Sequence, residues 1–301
     1  MNDHAFDYED VCMGVRDKKP KSYFRSFARD YRLRSLIQSV DLGKGKLLDI
    51  GCGGGMISET LPYYYPKGAL YGADVSKSAI TYAKKYGSGK VAYSHMKGKR
   101  LPYKDSFFDV CICLDVLEHV PDVDFFLKEV KRVLKKGGAF FVIVPCEGQP
   151  LTYTWVFQKL HRGQNLTFQY FGHIHPEFTH AYVLELLKKH GFVIRETRYS
   201  EHVFYQFMHL CIFFLPKLLM EIFLGKKIAH EYTNSSLIHK PKLGFDPLLL
   251  VRSVWFAFFD FMMMHPMAWE TILCSHIPFG AWKLHALAVK EKNIVKRGLS
   301  S

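Results

Sequence analysis

Two groups of residues in this 301-residue chain have the types and spacing to do chemistry. The first is Asp49, Gly51, Gly53 and Gly55, in the order D-x-G-x-G-x-G, at the end of an apolar run. Glycines serve where a chain turns with positive φ and where a ligand must approach backbone more closely than a Cβ allows. Asp74 follows at the end of the next apolar run, about 20 residues on, where a carboxylate can accept hydrogen bonds from both hydroxyls of a ribose. The set therefore reads as a nucleotide site. The second group is Asp115, Glu118 and His119, spaced D-x-x-E-H, with His173 and His175 in the later stretch FGHIHPEF. Two carboxylates and two imidazoles suit Mg²⁺ or Zn²⁺, either of which would polarise a diol or catechol oxygen. Asp115, His119, His173 and His175 equally suit proton transfer, histidine titrating closest to neutral pH. The plainer alternative is that Glu118 and His119 begin a helix and wall a pocket, and that two histidines in a loop line it or face solvent.

Elements able to position these groups are legible in the periodicity. KLLDIGCGG (46–54) reads as a buried strand running into a tight turn, with a helix from about Met56. ALYGADV (69–75), VAYSHM (91–96) and FDVCICLDVL (108–117) read as strands, and SKSAITYAKKY as a helix capped by Ser76. After Pro121 the apolar spacing is helical up to the pair Gly137 and Gly138, read as a C-cap, and AFFVIVP (139–145) is a fifth strand. A helix closed by Gly191 precedes a sixth strand, and WKLHALAVKEKN (282–293) alternates like a last, antiparallel edge strand. Strands separated by helices imply right-handed crossovers and a mostly parallel sheet covered on both faces.

Composition narrows the class without choosing a substrate. A hydrophobic content of 49% is ordinary for a globular protein with a sizeable core. The net charge of +13 favours an acidic partner such as anionic lipid, nucleic acid or a phosphate-bearing metabolite. Seven cysteines without a CxxC pair read as reduced, buried thiols and hence a cytoplasmic setting. The first ten residues, polar and acidic, do not read as a secretory signal.

The runs LLDIGCGGG, GADVS, LPYKDSFFDV and LDVLEHVPDVDFFLKEVKRVLKKGG, in this order, resemble the class I S-adenosylmethionine-dependent methyltransferases, in particular the quinone-biosynthesis group. The resemblance covers residues 45–200 and the final strand. It implies a Rossmann-like, seven-stranded α/β sheet and S-adenosyl-L-methionine as cofactor. Asp49 and the loop Gly51, Cys52, Gly53 and Gly55 would hold its methionine part, Asp74 its ribose, and Val75 would pack on its adenine. Leu114 and Asp115 would flank the sulfonium. Lys97 stands where relatives usually carry an adenine-binding aspartate, so the backbone of Lys97 and Gly98 would read adenine instead. Some metal-dependent O-methyltransferases carry E-x-x-E-H where this chain has Asp115, Glu118 and His119, which with His175 would form the ligand set. Methyl transfer is an in-line displacement, so alignment and exclusion of water are the main tasks, and only hydroxyl or activated carbon acceptors need a base.

The resemblance leaves residues 201–281 as an insertion before the last strand. HVFYQFMHLCIFFLPKLLMEIFLG (202–225) and DPLLLVRSVWFAFFDFMMMHPMAW (246–269) are strongly apolar but broken by Lys217, Glu221, Arg252 and Asp260, so membrane-spanning helices are not expected. Three uses stand open: a helical layer packed on the sheet or a second subunit, interfacial helices on anionic lipid, or the roof of a tunnel for a hydrophobic acceptor. Residues 22–40, apolar on one face and basic on the other, suit a lid over the cofactor. The expected divisions are thus a lid (1–45), the cofactor-binding core (46–200), a largely helical hydrophobic insertion (201–281), and the last strand with a tail (282–301). The expected activity is methyl transfer to a hydrophobic quinone precursor, isoprenoid or lipid, by a protein peripheral to a membrane's inner face. A soluble acceptor with the insertion forming a homodimer, or a non-catalytic lipid-binding protein of the same fold, are the rivals. Nucleic acid is disfavoured because no RRM or KH signature is present.

Overall fold

The structure, a computed structural model, describes residues 36, 39–160, 172–210 and 269–291. The expected lid helix over 22–40 and most of the expected insertion fall outside the described residues.

The first strand, β1 (Lys46–Ile50), is buried from Leu47 onward, as a strand covered on both faces must be. In place of a helix from about Met56 there is a 3-10 turn (Ser58–Thr60) and then a single helical turn, α1 (Leu61–Tyr64). Pro62 explains the break: it has no N–H to return to the Ser58 carbonyl, and the Leu61 N–H takes that acceptor instead. After β2 (Ala69–Asp74), Ser76 opens α2 (Lys77–Tyr86) as expected, its Oγ accepting from the Ala79 N–H at 3.1 Å. Next come β3 (Val91–His95) and β4 (Phe108–Leu114), then a 3-10 turn (Leu117–His119) and α3 (Val123–Val133), capped by Asp122.

The glycine pair does not cap α3. The helix stops at Val133, and β5 (Leu134–Pro145) begins at once because Leu134, fully buried, pairs with Phe108. The next pair is Ala139 with Val110, so the intervening KKGG bulges out of the ladder with Gly137 at φ 76°. The chain continues through α4 (Tyr153–Leu160), α5 (His180–Lys189), β6 (Phe192–Ser200), α6 (Val203–His209), α7 (269–274) and β7 (Lys283–Lys290).

The sheet order is β3-β2-β1-β4-β5-β7-β6, parallel except for β7. β7 is antiparallel, as expected, but it is not the edge. It lies between β5 and β6 and is buried continuously from Lys283 to Ala288, so the alternation in its sequence divides residues between the two faces of the sheet, both covered, rather than between inside and outside. The half-exposed β6 takes the edge.

Side chains of alternating parity feed two cores. Cys111, Cys113, Phe140 and Val142 join Leu127, Val130, Val183 and Leu187 on one face. Val110, Ile112, Phe141 and Ile143 join Leu61, Ile80 and Ala83 on the other. The order reverses between β1 and β4, the switch point at whose carboxyl edge open α/β sheets hold ligands in a crevice. Because β7 runs antiparallel, its first residue, Lys283, opposite Pro145 and Ser200, faces the same edge.

Candidate functional site

The crevice is built from strand ends. β1 delivers Gly51, Gly53 and Gly55, all at positive φ. Two of these positions tolerate no side chain: a Cβ on residue 51 would lie 2.3 Å from Val116 Cγ2, and one on residue 55 would lie 2.5 Å from the Tyr93 hydroxyl. The turn is thus pressed between the loop after β4 and the side chain of β3. Asp74, at the tip of β2, accepts from the Gly53 N–H at 2.7 Å and the Ser76 N–H at 2.8 Å, which sets its carboxylate beside the glycine turn. Cys52, also in that turn, bonds through its N–H to the Ala73 carbonyl at 3.2 Å, and burial drives its thiol far above the ordinary range. Asp49 lies beneath the turn, 3% exposed, accepting from Ser58 Oγ at 2.6 Å. Burial raises its carboxyl to about 7, against the lowering effect of the Ser58 bond.

Val75 follows Asp74 and is half exposed. Lys97 and Gly98 begin the loop after β3, which the Met96 N–H anchors to the Asp74 carbonyl at 2.8 Å. Further along, that loop is held by Arg132, which donates to the carbonyls of Leu101 and Tyr103. Leu114 ends β4 opposite Ile143. The expected cofactor residues therefore occupy the ends of four neighbouring strands, β3, β2, β1 and β4, and the turns after them.

The acid and histidine residues converge differently from expectation. Glu118 is 1% exposed, and neither carboxylate oxygen has a side-chain hydrogen-bond partner among the described residues. Its Oε1 faces Nε2 of His119 at 3.7 Å and Nε2 of His173 at 3.9 Å. The three ligand atoms lie within 4.8 Å of one another. His119 Nδ1–H donates to the Gly172 carbonyl at 3.0 Å, and His173 Nδ1 bonds the buried Glu147 carboxylate. Each of these contacts puts the proton on Nδ1 and turns a lone pair on Nε2 toward Glu118. Burial and the neighbouring His173 lower His119 to about 4, while burial and Asp115 push the Glu118 carboxyl well up. A buried carboxylate facing two imidazole lone pairs that are oriented from behind fits a divalent cation's donor set.

His175 and Asp115, expected as ligands beside Glu118 and His119, are engaged elsewhere. His175 uses Nε2 on the Val120 carbonyl (2.9 Å) and Nδ1 on Glu177 (2.8 Å), and it stacks on Phe178 at 4.5 Å. His173 takes the position expected of it. Asp115, at φ 55°, pairs with Lys283 Nζ at 2.9 Å.

Glu147, Glu201 and Lys283 escaped the sequence reading. Glu147 was findable by position, two residues beyond the end of a parallel strand. Lys283 had a weaker signal, a lysine opening an otherwise apolar strand. Glu201 had none, because its role depends on a partner 82 residues away, a difference of 283 and 201.

Residues 48–142 match the family described as a methyltransferase domain. Over 117 residues the chain is 39% identical to a ubiquinone biosynthesis O-methyltransferase of Pelagibacter ubique (strain HTCC1062), an overlap covering 38% of this chain and 47% of that protein. The protein of the same name from Coxiella burnetii (strain Dugway 5J108-111) is 33% identical over 155 residues, 48% of this chain and 64% of that one. The chain thus spans about half the length of the curated relatives it matches. Among solved structures, phosphoethanolamine N-methyltransferase 2 of Haemonchus contortus, in complex with S-adenosyl-L-methionine, superposes with a TM-score of 0.53 at 16% identity, covering 95% of this chain and 60% of that one. The [4+2]-cyclase SpnF gives 0.52 at 18% identity, covering 87% and 80%. At such identities these similarities establish the fold alone.

Proposed function

We propose, for a chain whose core is a class I S-adenosylmethionine-dependent methyltransferase domain, that it transfers the donor's methyl group to an oxygen of a hydrophobic quinone precursor. The observation that carries this is the presence of two groups after neighbouring strands, β1 and β4, at one sheet edge. One is the glycine turn flanked by Asp49 and Asp74. The other is the Glu118, His119 and His173 cluster. The name shared by the P. ubique and C. burnetii relatives supports oxygen as the accepting atom.

In this mechanism Asp74 holds the donor's ribose and Asp49 lies under its methionine end, while Gly51 and Gly55 let the backbone approach. Glu118, His119 and His173 would hold Mg²⁺ or Zn²⁺, which supplies Lewis-acid lowering of an acceptor hydroxyl's pKa. The Gly172 carbonyl and Glu147 keep the two imidazoles in the Nδ1–H tautomer, so Nε2 remains a ligand atom. His119, neutral above about pH 4, does not carry a competing positive charge.

The hydrophobic character of the acceptor rests on an apolar surface beside this edge. Val203 and Phe207 lie four residues apart on α6, Trp269 and Leu273 four apart on α7, and Ile277 and Phe279 follow, all exposed. The two helices abut, Glu270 accepting from the Phe204 and Tyr205 N–H groups at 2.7 and 3.0 Å. Residues 211–268 leave and rejoin the described chain here, and their sequence opens CIFFLPKLLMEIFLG. We assign this surface to the interfacial zone of a lipid bilayer, where Trp269 would sit at headgroup depth. No described helix is long and apolar enough to cross a membrane.

The test is incubation of the protein with labelled S-adenosylmethionine and whole-lipid extract, with mass spectrometry of the organic and aqueous phases. A labelled product in the organic phase supports the proposal, and one found in the aqueous phase alone overturns the hydrophobic acceptor. Metal content of the purified protein, and co-sedimentation with anionic liposomes at moderate salt, examine the cation and the bilayer separately.

A further inference from the structure

Lys283 bridges the loop after β4 and the end of β6. Its ammonium, on a lysine 6% exposed, lies 2.9 Å from Asp115 Oδ1 and 3.0 Å from Glu201 Oε1. Both carboxylates sit on residues held at positive φ, 55° and 59°, a conformation that costs a non-glycine residue about 1 kcal/mol or more. Two strained backbones converging on one buried cation are maintained by the contacts they make.

Those contacts join distant parts of the chain. Glu201 and Lys283 bracket residues 202–282, whose base is bound shut. The Trp282 N–H donates to the Glu201 carbonyl at 3.0 Å, and Gln206 Nε2 donates to the carbonyls of Glu201 and Gly280 at 2.8 and 2.6 Å. His202 Nε2 bonds the Ile277 carbonyl at 2.9 Å. On the other side, Asp115 is tied to β5 by its N–H on the Ile143 carbonyl at 3.0 Å, and the next residue, Val116, presses on Gly51. A shift of Asp115 therefore moves the wall against which the cofactor turn is packed.

We infer that Lys283 is a positioning residue for the methyl donor. Gripping Asp115 and Glu201 together, it fixes residues 115 and 116 against the glycine turn and couples donor binding to the base of the 202–282 segment. This rests on the methyltransferase reading. Exchange for methionine removes the ammonium while keeping the length of the side chain, leaving two acids without their counter-charge.

Titration calorimetry with S-adenosylhomocysteine on the full chain, at a temperature well below unfolding, tests the inference without needing the acceptor. Lys283→Met is expected to weaken binding about tenfold. In an Asp115→Asn background the same exchange should cost less than about threefold, because the partner it positions has lost its charge. Lys283→Arg should restore most of the affinity. A lysine serving the scaffold alone would lower the melting temperature and leave affinity unchanged, and that result overturns the inference, as does an equal cost in both backgrounds. Should Lys283→Met fail to fold, Lys283→Arg replaces it in the cycle, with about a threefold loss expected only while Asp115 is intact. A wild-type protein that binds neither S-adenosylmethionine nor its demethylated product defeats the proposed function itself, and this inference with it.

Discussion

Replacing Asp49 by asparagine should change the pH dependence of stability by an amount that can be worked out. The carboxyl is raised from 3.8 to about 7, chiefly by burial. Below pH 3.8 folded and unfolded chains both carry the proton, and burying a neutral acid costs little. Between 3.8 and about 7 the unfolded chain releases its proton while the folded chain keeps it, so stability falls as pH rises, and above 7 the whole cost is present. At ~1.4 kcal/mol per pH unit, the two units from pH 5 to 7 amount to about 3 kcal/mol. The substituted amide has no such titration and still offers an oxygen to Ser58 Oγ. Its N–H groups add a burden that is the same at every pH and drops out of the comparison. Urea unfolding followed by circular dichroism at pH 5 and pH 8, without ligand, should therefore show Asp49→Asn gaining about 3 kcal/mol on the wild type between the two conditions. Saturating S-adenosylhomocysteine should flatten the wild-type slope, since the donor's ammonium would stabilise the carboxylate. A difference between variant and wild type that stays constant with pH would refute the placement of an ionisable acid in a desolvated niche under the glycine turn.

Three further expectations follow from the same geometry. Asp74→Ala should weaken S-adenosylhomocysteine binding by about 1–3 kcal/mol in calorimetry, through lost ribose bonds and a Gly53 N–H left without its acceptor. Gly51→Ala should destabilise more than Gly89→Ala in thermal unfolding: both residues stand at φ 75°, but only at 51 would the new Cβ meet a neighbour, 2.3 Å from Val116, so equal shifts would contradict that contact. Glu118→Gln should reduce bound metal, read by elemental mass spectrometry after dialysis against Mg²⁺ or Zn²⁺, from about one equivalent to background, while S-adenosylhomocysteine affinity changes less than about threefold.

The elements that carry the expected cofactor residues were legible in the sequence because their signals are local. A glycine turn, an aspartate one strand later and a serine cap are each specified within a few residues, and β1, β2 and α2 lie where periodicity put them. Errors arose where a distant contact decided the outcome. The KKGG stretch looks like a helix end until Leu134 is seen buried beside Phe108. β7 looks like an edge until β6 is found outside it. In the loop GHIH both histidines have equal claims by spacing, and the buried Glu147 selects His173 by orienting its ring. His175 is drawn away by Val120 and Glu177. Spacing constrains which residues lie near a ligand, whereas the partner behind an imidazole determines which nitrogen faces it.

The charge of the site runs opposite to that of the chain. The sequence as a whole carries +13, which suggested an acidic partner. Yet at the carboxyl edge of the sheet Asp115 and Glu201 share Lys283, the one buried lysine or arginine among the described residues, while the buried Glu118 and Glu147 face the imidazoles of His119 and His173. Buried acids without matching cations are costly, and protons or a positive ligand must relieve them. A sulfonium donor and a divalent cation both answer that need; a phosphate-bearing acceptor would add to the repulsion. On the proposed reading, this acidic lining disfavours nucleic acid and anionic metabolites as acceptors, for a reason independent of any RNA-binding motif.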